Sequence, residues 1–226
     1  MLFRSLVRVH ALGVLLCWSR KLYLGFFRNE RQAALFEGIT EAYEYFQGVT
    51  DRLVLDNMAT AVCGRIGPER KVLWHARFAE LAEHLGFDAF ACLPGDPDRK
   101  GKKEKSFRLV WDDFLKGTKF DSWADLLARR WKWLDGTKTA GNLRPHGTTG
   151  RVPNEAWQEE KKLLSALPRS RFPVHDDEAR IVDADSTLSV GSTRYSVPSY
   201  LANTTVAVRL FAHRFEVVDR QGRVAL

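Results

Sequence analysis

Apolar residues alternate between two spacings along the first half of this 226-residue chain. Short continuous apolar runs, which are typical of buried strands, occupy residues 6–18, 22–27, 52–55 and 87–93. Stripes at helical spacing follow three of these runs, and we expect Asn29 to cap the first helix and Pro68 to precede the second, with Trp74 on its apolar face. The resulting order of strand, strand, helix, strand, helix, strand and helix predicts a mixed α/β sheet covered by helices.

The second half of the chain has a different pattern. We expect helices over 122–134 and 155–167, and a polar linker with two prolines over 168–177. Short strand candidates separated by turn residues follow at 180–182, 187–190, 193–197, 205–211, 215–218 and 224–226. We therefore predict three units: an α/β unit over 1–120, a helical extension with a linker over 121–175, and a small antiparallel β-barrel over 176–226.

Composition narrows the class of protein. Lys and Arg number 35 against 28 acidic residues, and the net charge of +7 favours nucleic acid or another anionic partner. Cys17, Cys63 and Cys92 are odd in number and form no CxxC pair, so we expect no disulfide framework and a reducing cytoplasm. The apolar run 11–18 is too short to span a bilayer, and no small-residue cleavage site follows it, so no membrane association is expected.

A turn-rich segment with many charges, residues 94–115, contains the first candidate site residue. Glu104 is predicted near the start of a helix and above its apolar face, so that its carboxylate would point toward the body of the domain. Basic residues surround it in the sequence: Arg99, Lys100, Lys102, Lys103, Lys105 and Arg108. An inward acid among bases suits a site that binds a polyanion and a metal. A solvated basic helix start, with one acid that balances charge, explains the same residues.

Asp56 is the second candidate. It directly follows the strand predicted over 52–55, and α/β sheets place ligand sites beyond the carboxyl ends of their strands. Asp56 and Glu104 could share divalent metal ions, since Mg²⁺ prefers one or two carboxylates together with substrate phosphates. An Asp at the end of a strand more often forms a turn or caps a helix.

Several segments resemble one known family in the order in which that family has them. The segment 54–62 is similar to the part of IstA-type transposases of bacterial insertion sequences that carries the second catalytic Asp. Residues 94–104 fit that family's Pro-x-x-Pro-x-x-Lys-Gly-x-x-Glu motif. The segments 16–20, 144–153 and 195–198 resemble the end of its second strand, its post-catalytic motif and the opening of its C-terminal β domain. These transposases belong to the superfamily of DDE transposases and retroviral integrases.

The resemblance implies a fold and a reaction. It implies a ribonuclease H-like sheet, with Asp56 and Glu104 as the second and third metal-binding acids and Mg²⁺ or Mn²⁺ as the cofactor. It also implies metal-dependent DNA cleavage at transposon ends and transfer of the strand to target DNA. The partners implied are DNA, an ATPase helper of the IstB type and further copies of the chain on DNA.

The basic residues then acquire an expected role. The bases around Glu104 would contact DNA phosphates, which gives affinity that weakens with salt. Their alternative role is a solubilising face. Arg144 and His146 would either contact DNA or form a structural corner.

One departure from the family bears on activity. The family's first catalytic Asp lies on a strand that precedes the run 6–18, but residues 1–29 contain no Asp or Glu. We therefore expect that the first strand is missing and that the chain is a transposase fragment without activity of its own. The alternatives are a non-catalytic remnant that binds DNA or a transposase subunit, and a basic α/β scaffold that binds RNA or ribosomes. The last alternative leaves Asp56 and Glu104 unexplained.

Overall fold

The computed structural model describes residues 8–92 and 107–226 as a mixed α/β protein with several small sheets. Its strands are β1 (His10–Leu15), β2 (Leu22–Phe27), β3 (Arg52–Leu55), β4 (Val62–Ile66), β5 (Lys71–Trp74), β6 (Asp88–Ala91), β7 (Asp176–Ile181), β8 (Thr187–Val190), β9 (Thr193–Ser196), β10 (Thr205–Leu210) and β11 (Phe215–Val218). Its helices are α1 (Gln32–Phe46), α2 (Ala76–Leu85), α3 (Trp123–Asp135) and α4 (Pro153–Glu160). A π-helical turn covers Val110–Leu115, and short 3-10 turns cover Gly141–Leu143, Lys161–Leu163 and Ser199–Leu201.

The first two strands form an antiparallel hairpin that is covered on both faces. The register runs from His10 opposite Phe27 to Leu15 opposite Leu22. Alternate residues of β2 face opposite sides, so Tyr23 packs with α1, whereas Leu24 packs with the π-helical turn and α3. Burial on both faces explains why β2 is a continuous apolar run rather than an alternating one.

A second sheet pairs β3 and β6 in parallel, with Arg52 opposite Asp88 and Leu55 opposite Ala91. Leu53 and Leu55 are buried in the same hydrophobic core as residues of α1 and α2. The crossover between the two strands contains the β4–β5 hairpin and α2, because a parallel pair cannot be joined by a tight turn.

The helix predicted after Pro68 is wrong in its first part. Residues 62–74 form the antiparallel β4–β5 hairpin, and Trp74 lies on β5, not on the helix. Gly67 and Arg70 both have positive φ angles, of 70° and 51°, and they place Pro68 in the hairpin turn. The helix begins after His75.

The predicted cap of the first helix is also wrong. The helix begins at Gln32 with Arg31 in the capping position, and no side chain caps it. The Asn29 side-chain oxygen instead accepts a hydrogen bond from the Arg31 amide at 3.0 Å, which forms a turn ahead of the helix.

The segment predicted as a linker is held against the α/β unit. Phe172 and Val174 are buried in the core that contains α1 and α2. The Arg77 guanidinium on α2 donates to the carbonyl oxygens of Pro173, at 2.8 Å, and His175. The segment therefore runs as a strap along the helices, and the predicted unit boundaries at 120 and 175 remain predictions.

The C-terminal part is an antiparallel β structure, as predicted. β10 pairs with both β7 and β11, and β8 pairs with β9. The two sheets share one apolar core that includes Val182, Leu188, Val208 and Val217. Val224 forms a single bridge with Val218 instead of a strand. Closure of these sheets into a barrel, and a ribonuclease H-like order in the α/β unit, remain predictions.

Within residues 8–92 and 107–226, no helix is both long enough and apolar enough to cross a membrane.

Candidate metal and nucleic-acid site

Asp56 lies at the carboxyl end of the parallel β3–β6 pair. It is half-buried and directly follows Leu55, whose carbonyl oxygen accepts a hydrogen bond from the Cys92 amide at 3.0 Å. The two strands therefore end side by side, with Asp56 directly after β3 and Cys92 directly after β6. This edge of an α/β sheet is where ligand sites form.

The loop after Asp56 is fixed by its own backbone. The Met58 amide donates to the Asp56 carbonyl at 2.6 Å, and the amides of Ala61 and Val62 donate to the Met58 carbonyl at 3.0 and 2.9 Å. Gln32 at the start of α1 donates from Nε2 to the Thr60 carbonyl at 2.9 Å. These bonds tie down the loop that follows Asp56, and a metal ligand is positioned more precisely when its supporting backbone is held in place.

The β4–β5 hairpin reaches over both strand ends through Arg65. Its Nη2 donates to the Asn57 Oδ1 at 2.8 Å, the Cys92 carbonyl at 2.8 Å and the Ala91 carbonyl at 3.3 Å. Its Nη1 donates to the Arg70 carbonyl at 3.1 Å. The sequence analysis missed Arg65. Short apolar runs on both sides of Gly67-Pro68 could have indicated the hairpin, but nothing in the sequence names these partners.

His75 attaches the same hairpin to the loop. Its Nε2 donates to the Ala59 carbonyl at 2.9 Å, which can only accept, so Nε2 carries the hydrogen in the neutral ring. Nδ1 then accepts from the Cys63 thiol at a distance of 3.1 Å. Hairpin and loop therefore form one unit around Asp56.

The other predicted metal ligand, Glu104, lies outside the described residues. So do five of the predicted DNA-binding residues: Arg99, Lys100, Lys102, Lys103 and Lys105. Within residues 8–92 and 107–226, no three His, Cys, Asp or Glu side chains are grouped so that they could hold a metal ion. Asp56 lies at a strand edge of the kind where ligand sites form, and its role as a metal ligand remains a prediction.

Arg108 is described and exposed. Its Nε lies 3.5 Å from the Asp112 carboxylate one turn later, and 84% of its side-chain surface is accessible. This exposure is compatible with the predicted contact to a phosphate. An exposed pair of this kind contributes little to stability.

Arg144 and His146 form a corner. The His146 amide donates to the Arg151 carbonyl at 2.9 Å, and the Gly150 amide donates back to the His146 carbonyl at 2.8 Å. Nδ1 of His146 accepts from the Thr148 amide at 3.3 Å. Arg144 lies 3.9 Å from the Asp113 carboxylate on the π-helical turn. These contacts support the structural interpretation, while a role in binding DNA remains a prediction.

A buried polar network docks this corner segment onto the first hairpin. Asn142 bonds both backbone polar groups of Leu22, accepting from its amide and donating to its carbonyl at 2.8 Å each, and it donates to the Tyr45 hydroxyl at 2.8 Å. Tyr45 donates to Asp135 at 2.7 Å, and burial followed by this carboxylate raises the pKa of its hydroxyl. Burial lowers the pKa of Lys21, which donates to Asn154 at 2.7 Å. Sequence reasoning did not find this network.

Comparison with known proteins relates this chain to transposases. Residues 167–226 match the family model described as the Mu transposase, C-terminal domain. The chain is 31% identical over 192 residues to the transposase assigned to insertion sequence element IS5376 of Geobacillus stearothermophilus, covering 85% of this chain and 46% of that protein. It is 28% identical over 194 residues to the transposase for IS21 of Pseudomonas aeruginosa, covering 85% and 48%.

A third relative is the transposase for IS1326/IS1353 of Pseudomonas aeruginosa, with 31% identity over 215 residues that cover 93% of this chain and 41% of the relative. A chain in the cryoEM structure of the simian T-cell lymphotropic virus intasome in complex with PP2A regulatory subunit B56 gamma aligns with a TM-score of 0.47 and 12% identity, over 96% of this chain and 72% of that one. A similarity this low does not define a fold. The chain spans less than half the length of the three transposases. Over most of its own length the chain is homologous to insertion-sequence transposases of the IS21 type.

Proposed function

We propose that this chain is a segment of a DDE-type transposase with a ribonuclease H-like core, which acts in DNA transposition by metal-dependent DNA cleavage and strand transfer. The observation that carries the proposal is the position of Asp56, at the end of a parallel strand pair and next to the end of β6. The homology to insertion-sequence transposases supports the same reaction.

In this proposal Asp56 and Glu104 provide carboxylate oxygens to Mg²⁺ or Mn²⁺, hard cations that prefer oxygen ligands. The ions, when bound, supply activation of a water or a 3′-hydroxyl and stabilisation of the leaving oxygen. The protein's part is to hold the carboxylates still. For Asp56, the hydrogen bonds of the following loop do this.

The proposed partners are those that a transposase requires. Transposon ends and target DNA would meet phosphate-binding bases at Arg99, Lys100, Lys102, Lys103, Lys105 and Arg108, with Arg144 and His146 as further candidates. An ATPase helper of the IstB type, a homo-oligomer on DNA and a cytoplasmic location complete the proposal.

A second candidate function is a non-catalytic remnant that binds DNA or a transposase subunit. Residues 1–29 contain no acid, so this chain supplies two of the three carboxylates that the family uses. Removing one ligand from a two-metal site should abolish most of the reaction. We therefore propose that the chain is inactive by itself.

The test is a strand-transfer assay with a labelled transposon-end duplex, target DNA and either Mg²⁺ or Mn²⁺. The chain and its Glu104→Gln variant should both give no product. Turnover that Glu104→Gln abolishes would overturn the proposed inactivity and support Glu104 as a catalytic residue. Turnover that survives both Glu104→Gln and Asp56→Asn would contradict the proposed site.

DNA binding is measured separately, as a function of salt. Lys102→Ala combined with Lys103→Ala should weaken binding and reduce the slope of log K against log salt by about two. The matched control is Arg194→Ala, since Arg194 already pairs with Asp183 at 2.8 Å in the β domain. An equal loss in both variants would mean that the bases around Glu104 have no special part in binding.

A further inference from the structure

We propose that Arg65 is a positioning residue for the candidate metal site, which fixes the loop after Asp56 against the end of β6. The inference rests on the proposed function, because it assigns Arg65 a part in holding the loop that follows Asp56, a proposed metal ligand.

The geometry of the guanidinium carries this inference. The last hydrogen bond of the β3–β6 pair joins the Cys92 amide to the Leu55 carbonyl, one residue before Asp56. Nη2 of Arg65 continues the connection beyond that point, because it bonds Asn57 on one segment and the carbonyls of Ala91 and Cys92 on the other. A single planar group thus spans the two chain segments that lead away from the sheet edge.

The hairpin gives Arg65 its own anchor. Nη1 bonds the Arg70 carbonyl in the β4–β5 turn, so the guanidinium is held from behind while Nη2 faces the strand ends. Arginine suits this role because Nη1 and Nη2 are held apart in one planar fork and bond different segments, whereas lysine carries all three of its donors on one nitrogen.

The contacts also separate positioning from two other roles. Every acceptor named is a neutral oxygen of the protein, so these donors are already engaged within the chain. If Arg65 acted only through its positive charge, it would repel a nearby metal ion, and its removal would strengthen metal binding. If it positions the segments, its removal weakens metal binding.

The experiment measures Mn²⁺ binding to the 226-residue chain by isothermal titration calorimetry. Partners that bond a metal ligand directly typically contribute about 10–100-fold in affinity; Arg65 bonds Asn57, the residue after Asp56, so Arg65→Met should weaken Mn²⁺ binding by about 10-fold, the low end of that range. Arg65→Lys, which keeps the charge and loses the fork, should also weaken it, by less. Arg70→Met is the matched control on the same hairpin, since only its backbone carbonyl contacts Arg65, and its affinity should stay within about two-fold of the unsubstituted chain.

Unchanged or tighter Mn²⁺ binding in Arg65→Met would overturn the inference. The salt dependence of DNA binding should be the same in Arg65→Met and Arg70→Met, and a reduced slope in Arg65→Met alone would instead make Arg65 a phosphate ligand. If Arg65→Met fails to fold, Asn57→Ala removes one acceptor only, and a smaller loss of Mn²⁺ affinity is expected in a folded protein.

Failure of the proposed function gives a different result. An unsubstituted chain that binds no Mn²⁺, or whose binding survives Asp56→Asn, would refute the metal site itself. Amide hydrogen exchange then tests, without any metal, whether Arg65 holds the loop after Asp56 against the end of β6. Arg65→Met should speed exchange in residues 57–61 and at Cys92, while Arg70→Met should not. Equal exchange in both variants would overturn the role of Arg65.

Discussion

Replacing Asn142 by alanine tests whether the helical extension is docked by the buried network. Asn142 is 1% exposed, and its side chain satisfies both the amide and the carbonyl of Leu22, which is itself buried. Asn142→Ala leaves one buried donor and one buried acceptor without partners, at roughly 1–3 kcal/mol each. The Tyr45 hydroxyl loses a donor but keeps Asp135.

The expected loss of stability follows from these two groups. A water molecule that enters the vacated space would replace part of the bonding, so we expect a loss of about 3 kcal/mol from the roughly 2–6 kcal/mol available. For a chain of this size that lowers Tm by about 6–12 °C. Urea unfolding followed by tryptophan fluorescence measures the change, and amide exchange at Leu22 reports it locally.

Asn29→Ala is the matched control. Its side chain accepts one hydrogen bond, from the Arg31 amide at 3.0 Å, at an exposed position, so the loss should stay below about 1 kcal/mol. If the two variants unfold within about 0.5 kcal/mol of each other, the Leu22 backbone does not depend on Asn142 and the reasoning is refuted.

Three further predictions follow from packing and burial. Gly141→Ala places a Cβ 2.4 Å from the Trp133 carbonyl oxygen at a φ of +48°, so it should lower the free energy of unfolding in urea by well over ~2 kcal/mol. Gly150→Ala, at a φ of +66° with open space around the new Cβ, should lower it by about 1–2 kcal/mol. Similar losses in the two variants would contradict the clash. Phe172→Ala should lower the free energy of unfolding by about 3 kcal/mol because the ring is buried in the main core. Arg171→Met should lower it by less than about 1 kcal/mol because its ion pairs are half-exposed. The reverse order would mean that ion pairs, not apolar packing, hold the strap. Burial raises the pKa of Tyr43 from 10.0 to about 12. The stability that this shift contributes is fully present below about pH 10 and is lost as the pH rises from about 10 to 12. Tyr43→Phe should therefore flatten the fall of Tm over that window, and an unchanged profile would refute the assignment.

Several elements follow from local sequence alone. Four strands have the predicted bounds, because most residues of each are apolar or β-branched and turns or helices flank it: β2 (Leu22–Phe27), β3 (Arg52–Leu55), β8 (Thr187–Val190) and β11 (Phe215–Val218). Ser122 caps α3 by accepting from the Asp125 amide at 3.1 Å. Asp56 as a candidate also came from local order, since a carboxylate directly follows a buried-type strand.

Other features depend on groups that are distant in the chain. The sequence predicts a helix after Pro68, but residues 71–74 complete a hairpin instead. The reason is a turn with two left-handed residues, one of them Arg70, which no apolar spacing reveals. The prolines and polar residues of 168–177 predicted a linker, but Phe172 and Val174 are buried because α1 and α2 leave an apolar groove for them.

The candidate site also combines residues that could be predicted from the sequence with contacts that could not. The candidate carboxylates and the basic segment around Glu104 were predictable from the sequence, because side-chain chemistry and its order along the chain are local facts. Only the tertiary structure placed Arg65 across Asn57 and Cys92, and Asn142 on Leu22, because a hydrogen bond depends on where distant backbones meet in space. Such partners share no spacing or periodicity in the chain, so they follow from the packing of the elements and from nothing before it.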